Sequence, residues 1–245
     1  MNTESDCTST PRTCPCNEKA AVFLNGECDL PPDFFRKTTF YNDFDFFCAD
    51  GGANIALKFG IIPTAVIGDM DSITHSNRRK LEKLSKFIVY PADKEQSDGE
   101  LLLDFLEKQG YAMIHIFAAT GGRLDQTLFN IQLLQKHQQC RIITKNEEIF
   151  FIRSGSVITH KIDCLASLIP TTPKVCGVSL EGFKFNLKSA DLNYASTLTL
   201  SNMIISDQAY VYYREGGLLL VLAKQPEKGN TSIPGKLKLI KGKRA

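Results

Sequence analysis

The sequence predicts an α/β fold: an N-terminal, mostly parallel sheet with flanking helices, followed by a C-terminal all-β sandwich domain. Three observations carry this reading. Between residues 20 and 144, short apolar runs alternate with helical stretches, the pattern of strands joined by crossover helices. Beyond about residue 146 the helical stretches cease, and short strand-like runs succeed one another, punctuated by Ser154-Gly155, Glu181-Gly182 and Glu215-Gly216-Gly217. The chain has 245 residues, 43% of them hydrophobic, which is enough to bury a core without disulfide or metal staples.

Residues 1–18, rich in Thr, Ser, Pro and Cys, show no periodicity and are expected to form a disordered lead. Runs at 20–24, 45–49, 64–67, 87–90, 114–118 and 141–144 read as buried strands, with helices at 32–37, 54–58, 77–85, 98–108 and 125–137. Two helix starts are set by local chemistry. Ser97-Asp98-Gly99-Glu100 has the capping-box arrangement, with Ser97 as N-cap and Glu100 reaching back. After Gly121-Gly122, the residues Leu124, Leu128 and Ile131 fall at helical spacing, so the spacing predicts an apolar stripe facing the core, with Asp125 pointing elsewhere. Further strands are expected at 149–152, 157–160, 165–169, 175–180, 183–187, 197–200, 209–213 and 218–222. The expected division is an α/β domain over 19–145 and a β-sandwich over 146–245.

Composition narrows the function. The net charge is +2; the segment 227–245 holds six basic residues against one acid, so it carries +5 and the rest of the chain −3. A nucleic-acid binder places its positive field on the folded body, so DNA and RNA are not expected partners. No apolar run approaches the roughly 20 residues of a membrane-spanning helix. Of the eight cysteines, Cys14-Pro15-Cys16 has the wrong spacing for a zinc pair, and the lead lacks the basic and apolar regions of a signal peptide. Reduced thiols in a cytoplasmic protein are the expectation.

The informative feature is the segment immediately after each strand of the first domain: Asp50-Gly51-Gly52-Ala53-Asn54, Gly68-Asp69-Met70-Asp71-Ser72, Asp93-Lys94-Glu95-Gln96-Ser97-Asp98, and Gly121-Gly122-Arg123-Leu124-Asp125-Gln126. In an open parallel sheet these segments share the carboxyl edge, where ligands bind. Asp69 and Asp71, two apart in a turn, can converge on one magnesium ion, which takes oxygen ligands and substrate phosphates. Taken alone, such a pair is more often just a pair of turn residues, since such triplets are common by chance. Asp98 could be a third ligand, with Lys94 countering phosphate charge, or could simply favour a helix N-terminus. The glycine turns allow a backbone to approach an anion, and Arg123 suits a nucleotide phosphate. Neither a P-loop nor a dinucleotide fingerprint occurs.

Taken together, these four segments resemble the thiamine pyrophosphokinase family, with Leu24-Asn25-Gly26 and Ser201-Asn202 as outer landmarks. The resemblance implies a homodimer with active sites between subunits, and transfer of diphosphate from ATP to thiamine with Mg²⁺, giving thiamine diphosphate and AMP. It implies that Asp69, Asp71 and Asp98 are the catalytic, metal-holding acids. By the same resemblance, Asp50, Gly51, Lys94 and Arg123 lie near the nucleotide, in a motif that ends at Gln126. Asp125 contacts thiamine, and Ser201 and Asn202 reach thiamine from the β domain. Met70 stands where Phe is more usual in the family and Ser97 where Thr is frequent. The chain has no Trp, whereas animal members stack thiamine on one. Two other readings compete: a related pyrophosphokinase acting on another alcohol such as a pterin, and a non-catalytic nucleotide-binding sensor. The three acids argue against the sensor.

Overall fold

A computed structural model of the protein describes residues 19–223 and the short strand Lys238–Leu239. The expected lead at 1–18 and nearly all of the basic tail lie outside the described residues. The first part alternates strand and helix. The strands are β1 (Lys19–Phe23), β2 (Asp45–Ala49), β3 (Ala65–Gly68), β4 (Lys86–Val89), β5 (Met113–Phe117) and β6 (Cys140–Ile143). The helices are α1 (Phe34–Lys37), α2 (Gly52–Lys58), α3 (His75–Leu81), α4 (Asp98–Lys108) and α5 (Leu124–Lys136).

These six strands lie in the order β6-β5-β1-β2-β3-β4, every neighbouring pair parallel. The chain winds outward from β1 to β4, then returns to the far side of β1 at β5. That reversal opens a crevice at the carboxyl ends, because the connections leave β1 and β5 in opposite directions. Both faces of the sheet are covered. Leu102, Leu103 and Leu106 of α4 and Leu134 of α5 join Val22, Ile67 and Ile116 on one side. On the other, Phe23 and Phe117 stack at 5.4 Å amid Phe35, Tyr41 and Ala53. Gly52 is required where α2 meets β1, since a Cβ there would stand 2.1 Å from the Phe23 carbonyl oxygen.

The remaining strands are β7 (Glu147–Ile152), β8 (Ser156–Thr159), β9 (Leu165–Pro170), β10 (Lys174–Glu181), β11 (Leu187–Asn193), β12 (Asn202–Met203), β13 (Gln208–Tyr212), β14 (Leu218–Ala223) and β15 (Lys238–Leu239). Four of them extend the first sheet beyond β6, antiparallel, in the order β7-β14-β9-β12, so the sheet runs ten strands without a break at residue 146. The other five form an antiparallel sheet, β11-β10-β13-β8-β15. The two layers share one core, with Ile152, Leu168 and Leu220 from the first and Val178, Leu180 and Val211 from the second. The α/β-plus-β-sandwich fold class is therefore what the structure has.

Four local expectations differ. The apolar run 183–187 is mostly a turn, with Phe183 fully buried as a plug, and β11 begins only at Leu187. Residues 197–200 form turns, with Leu198 58% and Leu200 56% exposed. Helix α5 is rolled away from its expected face: Leu124 is 71% and Leu128 52% exposed, while Leu134 is fully buried and Ile131 is partly so. An apolar period fixes which residues share a helix face, not what that face meets. The capping box is half formed, because the Ser97 hydroxyl accepts from the Glu100 N–H at 3.2 Å while the Glu100 carboxylate pairs instead with Lys136.

Candidate active site at the sheet's carboxyl edge

A cavity of about 500 Å³ opens at the crevice, within the range of small-molecule sites. Its walls come from the ends of all five strands β1 to β5 and from the starts of α4 and α5. Asp50, Asp69, Asp71, Lys94, Asp98, Arg123 and Gln126 line it, as the shared-edge argument requires.

The acid turn is built by backbone strain. Gly68 has φ +147°, and a Cβ there would stand 2.9 Å from both Asp50 Cβ and Asp98 Cγ, so only glycine lets these two acids approach β3. Met70 comes next but one with φ +67° and is 5% exposed, its side chain sunk into the core that holds Phe117 and Ile73. Anchoring the middle residue inward leaves Asp69 and Asp71 at the rim on either side of it. Asp50, at φ +36°, is likewise held in an uncommon conformation.

One carboxylate oxygen from each of Asp50, Asp69 and Asp71 can be chosen so that all three lie within 4.8 Å of one another. Asp50 is 4% exposed; its Oδ2 accepts from the Ser72 N–H at 3.0 Å, while its Oδ1 is buried with no hydrogen-bond partner. Burial pushes the Asp50 carboxyl above its ordinary range, the Ser72 N–H opposes this, and the Asp98 charge adds to it. Asp69 Oδ1 accepts the Asp71 N–H at 3.2 Å, which with Lys94 holds its carboxyl low. Asp71 Oδ1 accepts from the Ser72 hydroxyl at 2.8 Å.

Lys94 bridges the acids, its Nζ 2.9 Å from Asp98 Oδ1 and 3.5 Å from Asp69 Oδ2. Burial works against its charge, but the two carboxylates outweigh that and hold its pKa up. The trio that draws together is thus Asp50, Asp69 and Asp71, with Asp98 beside it on Lys94. Asp50 enters a set in which the resemblance places Asp98. Strand-end order alone does not reveal which acids touch, because the sideways distance between strands is a tertiary quantity.

On the opposite wall, Arg123 and Asp125 pair with each other and are 73% and 55% exposed at their side chains. Arg123 faces the cavity, whereas Asp125 is spent on that pair and on the Gln126 N–H at 2.9 Å. Gly51 is not on the cavity wall; it leaves room for Asn25, which is, since a Cβ there would stand 2.3 Å from Asn25 Oδ1. Glu27 and Asn130 also line it and were not anticipated from sequence; the i, i+4 spacing of Gln126 and Asn130 on α5 was the available signal. Ser201 and Asn202 are absent from this wall. Asn202 is 2% exposed, accepting from the N–H groups of Phe185 at 3.1 Å and Met203 at 2.9 Å and donating to the Phe185 carbonyl at 2.8 Å. Ser201, exposed at φ +53°, hangs by its N–H from the Ser167 hydroxyl at 2.9 Å.

Residues 41–144 match the family described as thiamin pyrophosphokinase, catalytic domain, and residues 158–218 the one described as thiamin pyrophosphokinase, vitamin B1 binding domain. Thiamine pyrophosphokinase of Bacillus subtilis (strain 168) is 37% identical over 180 residues, spanning 70% of this chain and 84% of that protein. Thiamine pyrophosphokinase 1 of Oryza sativa subsp. japonica is 23% identical over 186 residues, 64% of this chain and 70% of that protein. The crystal structure of the Bacillus subtilis thiamine pyrophosphokinase superposes with a TM-score of 0.74 at 28% identity, over 85% of this chain and all of that one. The yeast thiamin pyrophosphokinase structure, at 17% identity and TM-score 0.69 over 87% of this chain and 88% of that one, shares the fold.

Proposed function

The chain belongs to the thiamine pyrophosphokinase family, and from that premise we propose how its rim does the family's chemistry. The reaction carries a diphosphoryl group from ATP to the hydroxyethyl oxygen of thiamine, giving thiamine diphosphate and AMP. A bond forms between that oxygen and the β-phosphorus, the bond from the β-phosphorus to the oxygen bridging it to the α-phosphorus breaks, and the hydroxyl proton leaves. Transfers of this kind depend on positioning and charge neutralisation more than on a strong base.

The chemistry of the donor set fits magnesium. Three carboxylates converge at one edge, and Asp50 Oδ1 is buried with no hydrogen-bond partner, as a group kept for a cation would be. Asp69 and Asp71 would hold the ion with Asp50, and Asp98 would close the set when phosphate draws Lys94 away. When bound, Mg²⁺ neutralises polyphosphate charge and polarises the phosphorus under attack. Lys94 and Arg123 add positive charge to the cavity wall for phosphate oxygens. The Asp50 oxygen carries this reading. Incubation with ATP and thiamine at graded Mg²⁺, scored for AMP and thiamine diphosphate, tests it, and magnesium-independent turnover would sink it.

The working unit is a homodimer on this reading. Leu124, Leu128 and Phe129 form an exposed apolar patch on α5 beside the cavity, 71%, 52% and 65% exposed. A second patch of Phe185, Leu198, Leu200 and Ile205 surrounds the Ser201-Asn202 turn. Two-fold pairing of one patch with the other copy's second patch would bury both and bring Ser201 to a cavity it does not reach within one chain. Phe129→Glu should give monomers by sedimentation. Asp125 would meet thiamine once Arg123 turns to phosphate. The free thiols Cys28, Cys48, Cys140 and Cys176 support a reducing, cytoplasmic setting.

A further inference from the structure

We infer that Asn54 is a positioning residue that clamps the acid turn without entering the cavity. It sits in the first turn of α2, half-buried, and is absent from the cavity wall. Its side chain makes three bonds to the segment beyond the turn. Nδ2 donates to the Ser72 carbonyl at 2.9 Å, and Oδ1 accepts from the Thr74 N–H at 3.1 Å and from Asn77 Nδ2 at 2.9 Å. A backbone carbonyl on one side and a backbone N–H on the other fix which end of the amide is oxygen, so both a donor and an acceptor are needed here.

The residue so gripped is Ser72, and Ser72 holds two acids at once. Its N–H reaches Asp50 Oδ2 at 3.0 Å and its hydroxyl reaches Asp71 Oδ1 at 2.8 Å. Asn54 therefore acts on the acids through one intermediary. By occupying one oxygen of each, Ser72 leaves Asp50 Oδ1 and the second oxygen of Asp71 to serve as ligands. The turn needs such a clamp because Asp50, Gly68 and Met70 all have positive φ, and strained conformations persist only when their surroundings over-determine them. The inference rests on the proposed metal role of these acids.

Two readouts test it, the first made on the ligand-free chain. In Asn54→Ala, amide hydrogen exchange over 69–77 should quicken by about tenfold or more while β2 and β3 keep their protection. Turnover should fall by about 10–100-fold, the usual effect of losing a residue that orients metal ligands, with the KM for thiamine within about twofold. Asn54→Asp should do at least as much, since it sets a carboxylate oxygen against the Ser72 carbonyl. Unchanged exchange over 69–77, loosening spread evenly through β2 and β3, or parental turnover would each overturn the inference. Should Asn54→Ala not fold, Asn77→Ala removes one of the three bonds and should show a smaller change of the same kind; no local change there overturns it as well. Parental behaviour of Asn54→Ala beside an inactive Asp71→Asn removes this inference alone. Parental turnover in Asp71→Asn removes the metal reading beneath it.

Discussion

Among the described residues, two groups of carboxylate and histidine side chains are drawn together closely enough to hold a cation, and only one of them lines the cavity. Asp50, Asp69 and Asp71 form the first; Asp104, Glu107 and His137 form the second, between α4 and α5. The second is already clasped by hydrogen bonds and ion pairs within the protein. Lys136 Nζ stands 2.8 Å from Asp104 and 2.9 Å from Glu100, Gln96 Nε2 donates to Asp104 at 2.9 Å, and His137 Nδ1 lies 2.8 Å from Glu107. None of its three members lines the cavity. The first group has one lysine shared between Asp69 and Asp98, a buried oxygen without a partner, and strained backbone beneath it. Proximity of carboxylates is thus common to a structural clasp and to the proposed metal site. What separates them is that the first lines the cavity on strained backbone, while the second is clasped between two helices away from it.

Substitutions sharpen that contrast. Asp71→Asn should lower turnover on the order of a thousandfold, roughly 4 kcal/mol of barrier, as for loss of a charge-stabilising group. Asp104→Asn should leave turnover within about twofold. Steady-state assays of the pair break the comparison if the order reverses. Thermal melts give a second measure: added Mg²⁺ should raise the midpoint of the parent and of Asp104→Asn, and raise that of Asp71→Asn much less.

Helix α4 touches both groups, carrying Asp98, which stands beside the first group on Lys94, at its start and Asp104 and Glu107 of the second further along. Ser97→Ala removes its N-cap and should cost about 1 kcal/mol in denaturant unfolding, disturbing both groups equally. The smallest effect belongs to the clasp alone. At Glu100 the hydrogen bond from Lys136 holds the carboxyl low; at Asp104 burial pushes upward, but Lys136 and Gln96 outweigh it and the net shift is down. Carboxyls depressed in the folded state add stability above their unfolded pKa and lose it as pH falls through the folded one. Lys136→Ala should therefore cost about 1 kcal/mol or less at neutral pH, given partial exposure, and the difference from the parent should vanish in acid below the depressed carboxyl pKa values. A difference that persists there would point to lost packing of the lysine stem.

Much of the rim was legible in the sequence. Asp69 and Asp71 stand out because both come after a strand with one residue between them, and the helix starting at Asp98 announces itself through Ser97. Asp50 was legible as a rim residue but not as the third member of the trio, since nothing local says that the end of β2 closes on the turn after β3. The roll of α5 was hidden for a related reason. Leu124 and Leu128 lie on the face that the spacing sends to the core, and their exposure shows that a helix face is chosen by its surroundings.

The sequence by itself determined the alternation of strand and helix, the change of texture near residue 146, and the delivery of acids and glycines to strand ends, because these are set by side-chain period and backbone sterics over a few residues. Only the tertiary structure decided that the ten-stranded sheet passes through that boundary, that Asn202 is consumed in holding Phe185, and that Asp50 rather than Asp98 stands with Asp69 and Asp71. Those outcomes depend on which segments distant in the chain come within a few ångströms of each other, and long-range packing is where a local pattern stops carrying information.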